Sequence, residues 1–509
     1  MARSSVEASE DWENYPRNLI QHSFYVDENK CNVRLTQDSE RLFVPEKDSE
    51  VWVFDVGEPF KGIGNGDGEE RAVELFKIKG SPQLSSFLKT RRQTVVISIR
   101  QSFSWSRLKI SEEGLKRLFT NLRVHPNFLD VVHVFGEKTE PVEETFLTFF
   151  YHPIFQRPIV QIEDVPDYGG YEIGYNIKYV AGHGRPFLKD PYVIRETGIY
   201  QKFWNTSASK QGCNWVLIHA SDALEERAKN LFKSPWKTAC PVQFQMHVMI
   251  LLFVSDTWRP FISFNEELFW KLRQRGFLTD IKGPKSTGDF EADFTDVRSL
   301  QALTDKMRQI SHTLGLNIQL ATQLKASINR VRQMPIPDAL PLECFEEFDS
   351  HIDFFIFQQK THSARVECLI ARAQGVSTLI QNILDIRNAD NNNRLNHAVH
   401  DIAEQGIKEN QLIKRITRQS MLDTKSMVVI AFVSAVFLPA TFIATLFGSN
   451  FFGFVSAGDH HMIAVADNVW IYIVTALGTS GLTVLISGWW WRKTRNETDQ
   501  SKNDDECFM

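Results

Sequence analysis

The pattern of apolar and polar positions changes character along the chain. Residues 1–45 are mostly polar and predict a loosely ordered, partly disordered N-terminus. Between residues 46 and 245, short runs rich in Val, Ile, Phe and Tyr recur between turn signals: VWVFDV, QTVVISIR, LDVVHVF, TFLTFFYH, YEIGYNIKYV and NWVLIHA. Runs of that length and composition predict strands. EERAVELFKI and SDALEERAKNLFK predict helices beside them, so an α/β or α+β domain is expected, with its strand order unread.

From 246 to 426 the apolar spacing lengthens to three and four, and long helices are predicted. The first, MHVMILLFVSDTWRPFISFNEELFWKLRQR, contains Pro260, where a kink is expected. Its apolar centre, HVMILLFV, is too short to span a bilayer and reads as buried. The second helix opens at FTDVRSL with Asp296 as its candidate cap. A third runs from 343 to about 387, and a fourth starts near Leu395 with a stripe at Val399, Ile402, Ile413, Ile416 and Met427. Between them, NADNNNR is either a loop or a polar patch inside one longer helix. No breaker precedes the apolar run that follows, so residues 395–447 would form a stalk roughly 80 Å long at about 1.5 Å per residue. A helix that long outruns its own chain's cover, which predicts self-association.

Two uncharged apolar runs, 427–447 and 469–491, match the roughly 20 residues that cross a hydrocarbon core. They bracket an outer loop, 448–468, and leave a polar tail, 492–509. Lys408, Lys414, Arg415, Arg418 and Lys425 precede the first run, Arg492, Lys493 and Arg495 follow the second, and the connector holds no Lys or Arg. Basic flanks mark the cytoplasmic side. A two-pass integral membrane protein with both termini cytoplasmic is expected, in the plasma membrane or an internal one.

Composition narrows this further. A net charge of −5 and pI near 6.3 argue against a nucleic-acid partner. Six scattered cysteines without a CxxC pair argue against a zinc finger or disulfide scaffold and fit a reducing compartment. The N-terminal MARSSVEASEDWENYP reads as neither a secretory nor a mitochondrial signal. GIGNGDG at 62–68 fails GxGxxG because position 67 is Asp, and reads as a surface loop. GTSG, 478–481, lies inside the second run, where small residues permit close helix approach. No paired-carboxylate or Ser-His-Asp signature is present, so an enzyme is not expected and no cofactor is implied.

Laid on a helix, the first run collects Met427, Ile430, Ser434, Leu438, Thr441, Thr445 and Gly448 on one face, with three hydroxyls in the stripe. Such hydroxyls either return their protons to backbone carbonyls or face an ion path. Pro439 donates nothing to the Ala435 carbonyl, leaving an acceptor there. Gly448-Ser449-Asn450 follows: either an ordinary helix end and turn, or, with several subunits around an axis, a ring of Asn450 amide dipoles. A dipole ring can hold a hydrated divalent cation, which suits magnesium because it dehydrates reluctantly. Asp459, His460, His461 and Asp467 in the loop are either a solvated acidic mouth or a site for a borderline metal. DFEADFTD at 289–296 is either a magnesium-sensing cluster or a solvated helix start.

A proline-bearing span, Gly-x-Asn, a short acidic loop, a second span and a basic end resemble the CorA-type divalent metal cation transporters. The family signature is Phe-x-Pro-x-Thr-Phe-Ile-Ala followed by Gly-Met-Asn. Here Phe437, Pro439, Thr441, Phe442, Ile443 and Ala444 match, then Gly448, Ser449 and Asn450 in the same spacing. DPYVIRETGIYQKF, 190–203, is similar to a stretch of the fungal branch. The resemblance implies a homopentamer with an α/β cytosolic domain, a long helical stalk and two C-terminal transmembrane helices. It implies magnesium influx, with Asn450 at the outer selectivity ring, Thr441 and Leu438 below it, and Ile430 and Met427 at an inner constriction. Ser449 stands where the family has Met, which leaves three outcomes open: magnesium transport, a zinc-, nickel- or cobalt-selective relative, or a non-conducting sensor or scaffold. A gating aspartate of bacterial relatives falls at Ile413, so that intersubunit site is not implied here.

Overall fold

The computed structural model describes residues 11–19, 27–56, 73–90, 94–156, 168–205, 211–233, 242–283, 289–333, 341–446, 452–457, 460–465, 467 and 469–505. The chain divides into two units, Met1–Arg387 and Asn388–Met509.

The first unit is built on a mixed seven-stranded sheet of order β2-β1-β3-β7-β6-β5-β4. Its strands are β1 (Glu50–Asp55), β2 (Glu74–Lys79), β3 (Thr94–Ile99), β4 (Phe149–Gln156), β5 (Tyr168–Gly182), β6 (Tyr192–Asn205) and β7 (Gln211–Ile218). β3 and β7 pair in parallel, with Ile99 opposite Ile218; the other neighbours are antiparallel. Alternation along each strand feeds two cores, because successive side chains leave opposite faces. Val95, Ile97 and Ile99 of β3 with Val216 and Ile218 of β7 pack under α1 (Glu28–Leu42), α2 (Gly80–Lys89), α3 (Glu112–Leu122) and α4 (Leu129–His133). Val96, Trp215, Leu217 and the Tyr171, Tyr175 and Tyr179 series of β5 face the other core. That core is closed by α5 (Asp222–Lys233), α6 (Val242–Leu278), α7 (Phe294–Val331) and the first part of α8 (Leu342–Leu446).

Two expected elements differ. LDVVHVF forms α4 rather than a strand; Leu129, Val131, Val132 and His133 are all buried, so the run carries no strand alternation to distinguish it from a buried helix. Within EERAVELFKI, the described part is the edge strand β2 rather than a helix. Phe76 and Ile78 turn inward while Leu75 and Lys77 stay exposed, a period of two. HVMILLFV is buried as expected, and α6 continues unbroken through Pro260. The cap of α7 is Asp293, not Asp296. Asp293 accepts from the Thr295 and Asp296 amides while Asp296 accepts from the Asp293 amide, closing a capping box. Asp296 is buried against Arg275 at 2.9 Å, which favours the helix-start reading of DFEADFTD.

NADNNNR lies inside α8, so the third and fourth expected helices are one. Arg387, whose guanidinium reaches Glu291 and the carbonyls of Asp280 and Ile281, fixes the helix to the first unit at that unit's last residue. Beyond it the stripe at Leu395, Val399, Ile402, Ile413 and Ile416 is exposed along its length. The second unit holds the rest of α8, a hairpin of β8 (Phe452–Ala457) and β9 (His460–Val465), and α9 (Val469–Asp505).

His247 in the first unit is wholly buried, with Nδ1 2.8 Å from the Tyr175 hydroxyl and Nε2 2.8 Å from Gln201 Oε1. Burial lowers its pKa to about 3, and burial also lowers His133 and His219 to about 4. Each is neutral when folded and protonates more readily when unfolded. Their stabilising neutrality is complete above pH 6.5 and is lost as pH falls toward the folded values, at about 1.4 kcal/mol per unit per histidine. Melting of the detergent-solubilised chain should therefore fall steeply between pH 7 and 5. His247→Asn should be less stable at pH 7 but show a flatter profile; a flat wild-type profile would contradict this.

Candidate functional site

Because α8 is helical throughout 427–446, the spacing of three and four places Met427, Ile430, Ser434, Leu438, Thr441 and Thr445 on one side, and all six are exposed. Ala435, Val436, Pro439, Ala440 and Ile443 are half-buried. At 3.6 residues per turn they lie on the opposite side of the helix from the stripe. Pro439 interrupts nothing: α8 passes through it.

On α9 the half-buried positions are Val469, Tyr472, Ala476, Ser480, Thr483 and Ser487, again at intervals of three and four. The Tyr472 hydroxyl donates to the Ala440 carbonyl at 3.4 Å, so each helix contributes its half-buried face at the point of contact. Small and hydroxyl-bearing residues on that face let the helices approach closely. This face of α9 went unread in the sequence, although its spacing was visible there. Gly478 and Gly481, expected to permit approach, have nothing near an added Cβ; Ala476, Ser480, Thr483 and Ser487 hold the half-buried positions instead.

Two of the three hydroxyls of the stripe are anchored to their own helix. Thr441 donates to the carbonyls of Phe437 and Leu438 at 3.1 and 3.0 Å, and Thr445 to Phe442 at 2.8 Å. A hydroxyl that donates its proton to the backbone keeps its oxygen lone pairs for an outside donor. The shell of a hydrated cation, whose waters turn their hydrogens outward, is such a donor. Back-bonding and an ion-facing role are thus compatible at Thr441 and Thr445.

Gly448, Ser449, Asn450 and Asp459 lie outside the described residues. His460 and His461 belong to β9, their backbones opposite Ala457 and Ser456, and Asp467 is exposed. Among the described residues no group of three His, Cys, Asp or Glu side chains is arranged to hold a metal ion.

A mixed-sheet N-terminal domain, a long helix and two C-terminal apolar helices of spanning length define an integral membrane protein. The chain belongs to the CorA-like transporter family, whose sequence model matches residues 7–276. Among solved structures it is similar to the ZntB cytoplasmic domain from Vibrio parahaemolyticus RIMD 2210633, at 10% identity and TM-score 0.36, covering 66% of this chain and 98% of that one. It is also similar to the full-length CmaX protein, at 10% identity and TM-score 0.31, covering 89% of this chain and 99% of that one. A curated relative, Notoamide biosynthesis cluster protein M' of Aspergillus versicolor, is 44% identical over 55 residues. That match is 11% of this chain and spans 12% of the relative's length.

Proposed function

We propose that copies of this chain, five by resemblance, surround an axis and form a pore that passes divalent cations inward, magnesium first. The observation that carries this reading is that α8 is half-buried on one side between 435 and 443, while the stripe runs opposite that side. One side meets α9, while the other presents Met427, Ile430, Ser434, Leu438, Thr441 and Thr445 uncovered. An uncovered face that carries three hydroxyls among apolar residues suits a water-bearing path better than lipid, and the bare stalk stripe supplies a surface for self-association. In this reading Asn450 forms the outer ring, both termini are cytoplasmic, the 448–468 loop faces outward, and Asp459, His460, His461 and Asp467 draw cations to the mouth.

Ser449 favours a second reading. A residue smaller and more polar than the family's Met changes the packing of the ring, which shifts preference toward zinc, nickel or cobalt or stops conduction altogether. Expression in cells lacking magnesium uptake separates these outcomes. Restored growth and magnesium influx are expected, with Asn450→Ala lowering influx by about tenfold or more. Raised zinc or nickel sensitivity without magnesium rescue would overturn the choice of ion. Correct insertion with no flux of any of these ions would favour the scaffold.

A further inference from the structure

The parallel pair β3 and β7 ends on a feature the ion path does not use. In sheets with parallel strands, the crevice beyond the carboxyl ends is a natural ligand site. Here Ser104 and Trp105 follow β3, His219 follows β7, and a cavity of about 90 Å³ opens between them, Arg195 of β6, Lys138 and α7. It is smaller than the roughly 150 Å³ that admits benzene.

The polar groups in its wall are unevenly satisfied. Lys178 and Glu196 neutralise each other at 2.7 Å, and Glu196 also accepts from Asn176. Glu144 accepts from Gln309 and, like Glu143, is exposed at the rim, where solvent screens its charge. Deeper in, Arg195 is half-buried and its Nε is enclosed without an acceptor. Lys138 is half-buried with its ammonium 3.2 Å from the Val142 carbonyl. His219 Nε2 lies 3.3 Å from the Ser104 hydroxyl. Burial and the Arg195 charge keep that imidazole neutral, lowering its pKa to about 4.

The backbone is strained at the same place. His219 (φ 54°) and Glu143 (φ 59°) are non-glycine residues in the left-handed region, and both line this cavity. Such conformations concentrate where a fold positions groups for a ligand.

We propose that this cavity binds a compact oxyanion, inorganic phosphate or a short carboxylate, through Arg195 and Lys138, with Ser104 and His219 as further hydrogen-bonding partners. Lys178 is already paired with Glu196, which leaves Arg195 and Lys138 as the cations in the wall that can meet an incoming anion, and hydrogen bonds from a charged donor to an oxyanion are the strong kind.

Equilibrium dialysis of the detergent-solubilised full chain against labelled inorganic phosphate and, separately, labelled malonate tests this. Saturable binding of either anion, weakened at least about tenfold by Lys138→Gln and by Arg195→Gln, is the expected result. Glu144→Gln at the rim should leave binding within about twofold. Phosphate without malonate would assign a tetrahedral ligand, and malonate without phosphate a planar one. Absence of saturable binding for both anions overturns the proposal, as does Lys138→Gln binding like wild type; Lys138 is the decisive variant should Arg195→Gln fold poorly.

Discussion

Leu438→Lys should abolish divalent-cation uptake while the protein still reaches the membrane. Leu438 sits mid-stripe and is 64% exposed on the side of α8 away from α9. If that side lines the path, every subunit would place an ammonium beside it. A divalent ion about 8 Å from one such charge, at an effective dielectric constant of about 20, is repelled by roughly 4 kcal/mol. Several subunits compound that barrier beyond any measurable flux. Leu438→Met preserves volume and should transport within about twofold of wild type. Magnesium influx with surface labelling as the insertion control decides it. Undiminished flux through Leu438→Lys would mean that this side faces lipid.

Gly170→Ala should cost the first unit about 3 kcal/mol, near the upper end for overpacking. Gly170 lies in β5 opposite Trp204 of β6, and an added Cβ would sit 2.4 Å from the Phe203 carbonyl oxygen and 3.2 Å from the Trp204 Cα. Both are backbone atoms of the paired strand, so relief requires spreading the sheet and not turning a side chain. The melting temperature should drop on the order of 5 °C. Gly182→Ala is the matched control in the same strand, because its nearest neighbour, the Pro191 carbonyl oxygen, is an ordinary 3.8 Å away. Equal melting temperatures for the two variants would contradict the assigned β5–β6 pairing.

The sheet was largely legible because VWVFDV, QTVVISIR and NWVLIHA are short runs rich in β-branched and aromatic residues between turn signals, and composition of that kind is a local signal. LDVVHVF was not, because a short run buried at every position but Asp130 does not distinguish a helix from a central strand. The continuity of α8 across NADNNNR was equally hidden: a polar tract without Pro or Gly is compatible with either state, and the stalk's own hydrogen bonds decide it. The stripe from Met427 to Thr445 was readable because a helix converts spacing directly into direction. Its meaning depends on what covers the other side, and Tyr472 reaching Ala440 is a contact between segments 32 positions apart that no local pattern encodes. The cavity around Arg195 lies further from sequence reach, since β3, β6 and β7 bring Ser104, Arg195 and His219 together only through the order of the sheet.

The central claim, that one side of α8 lines the ion path, is tested most directly by single cysteines placed along 427–445 in a background without reactive native thiols. A water-soluble, positively charged thiol reagent should block uptake at Met427, Ile430, Ser434, Leu438, Thr441 and Thr445. It should leave uptake unchanged at Ala435, Val436, Ala440 and Ile443. Block with the opposite periodicity, or equal protection at all of these positions, would contradict the account.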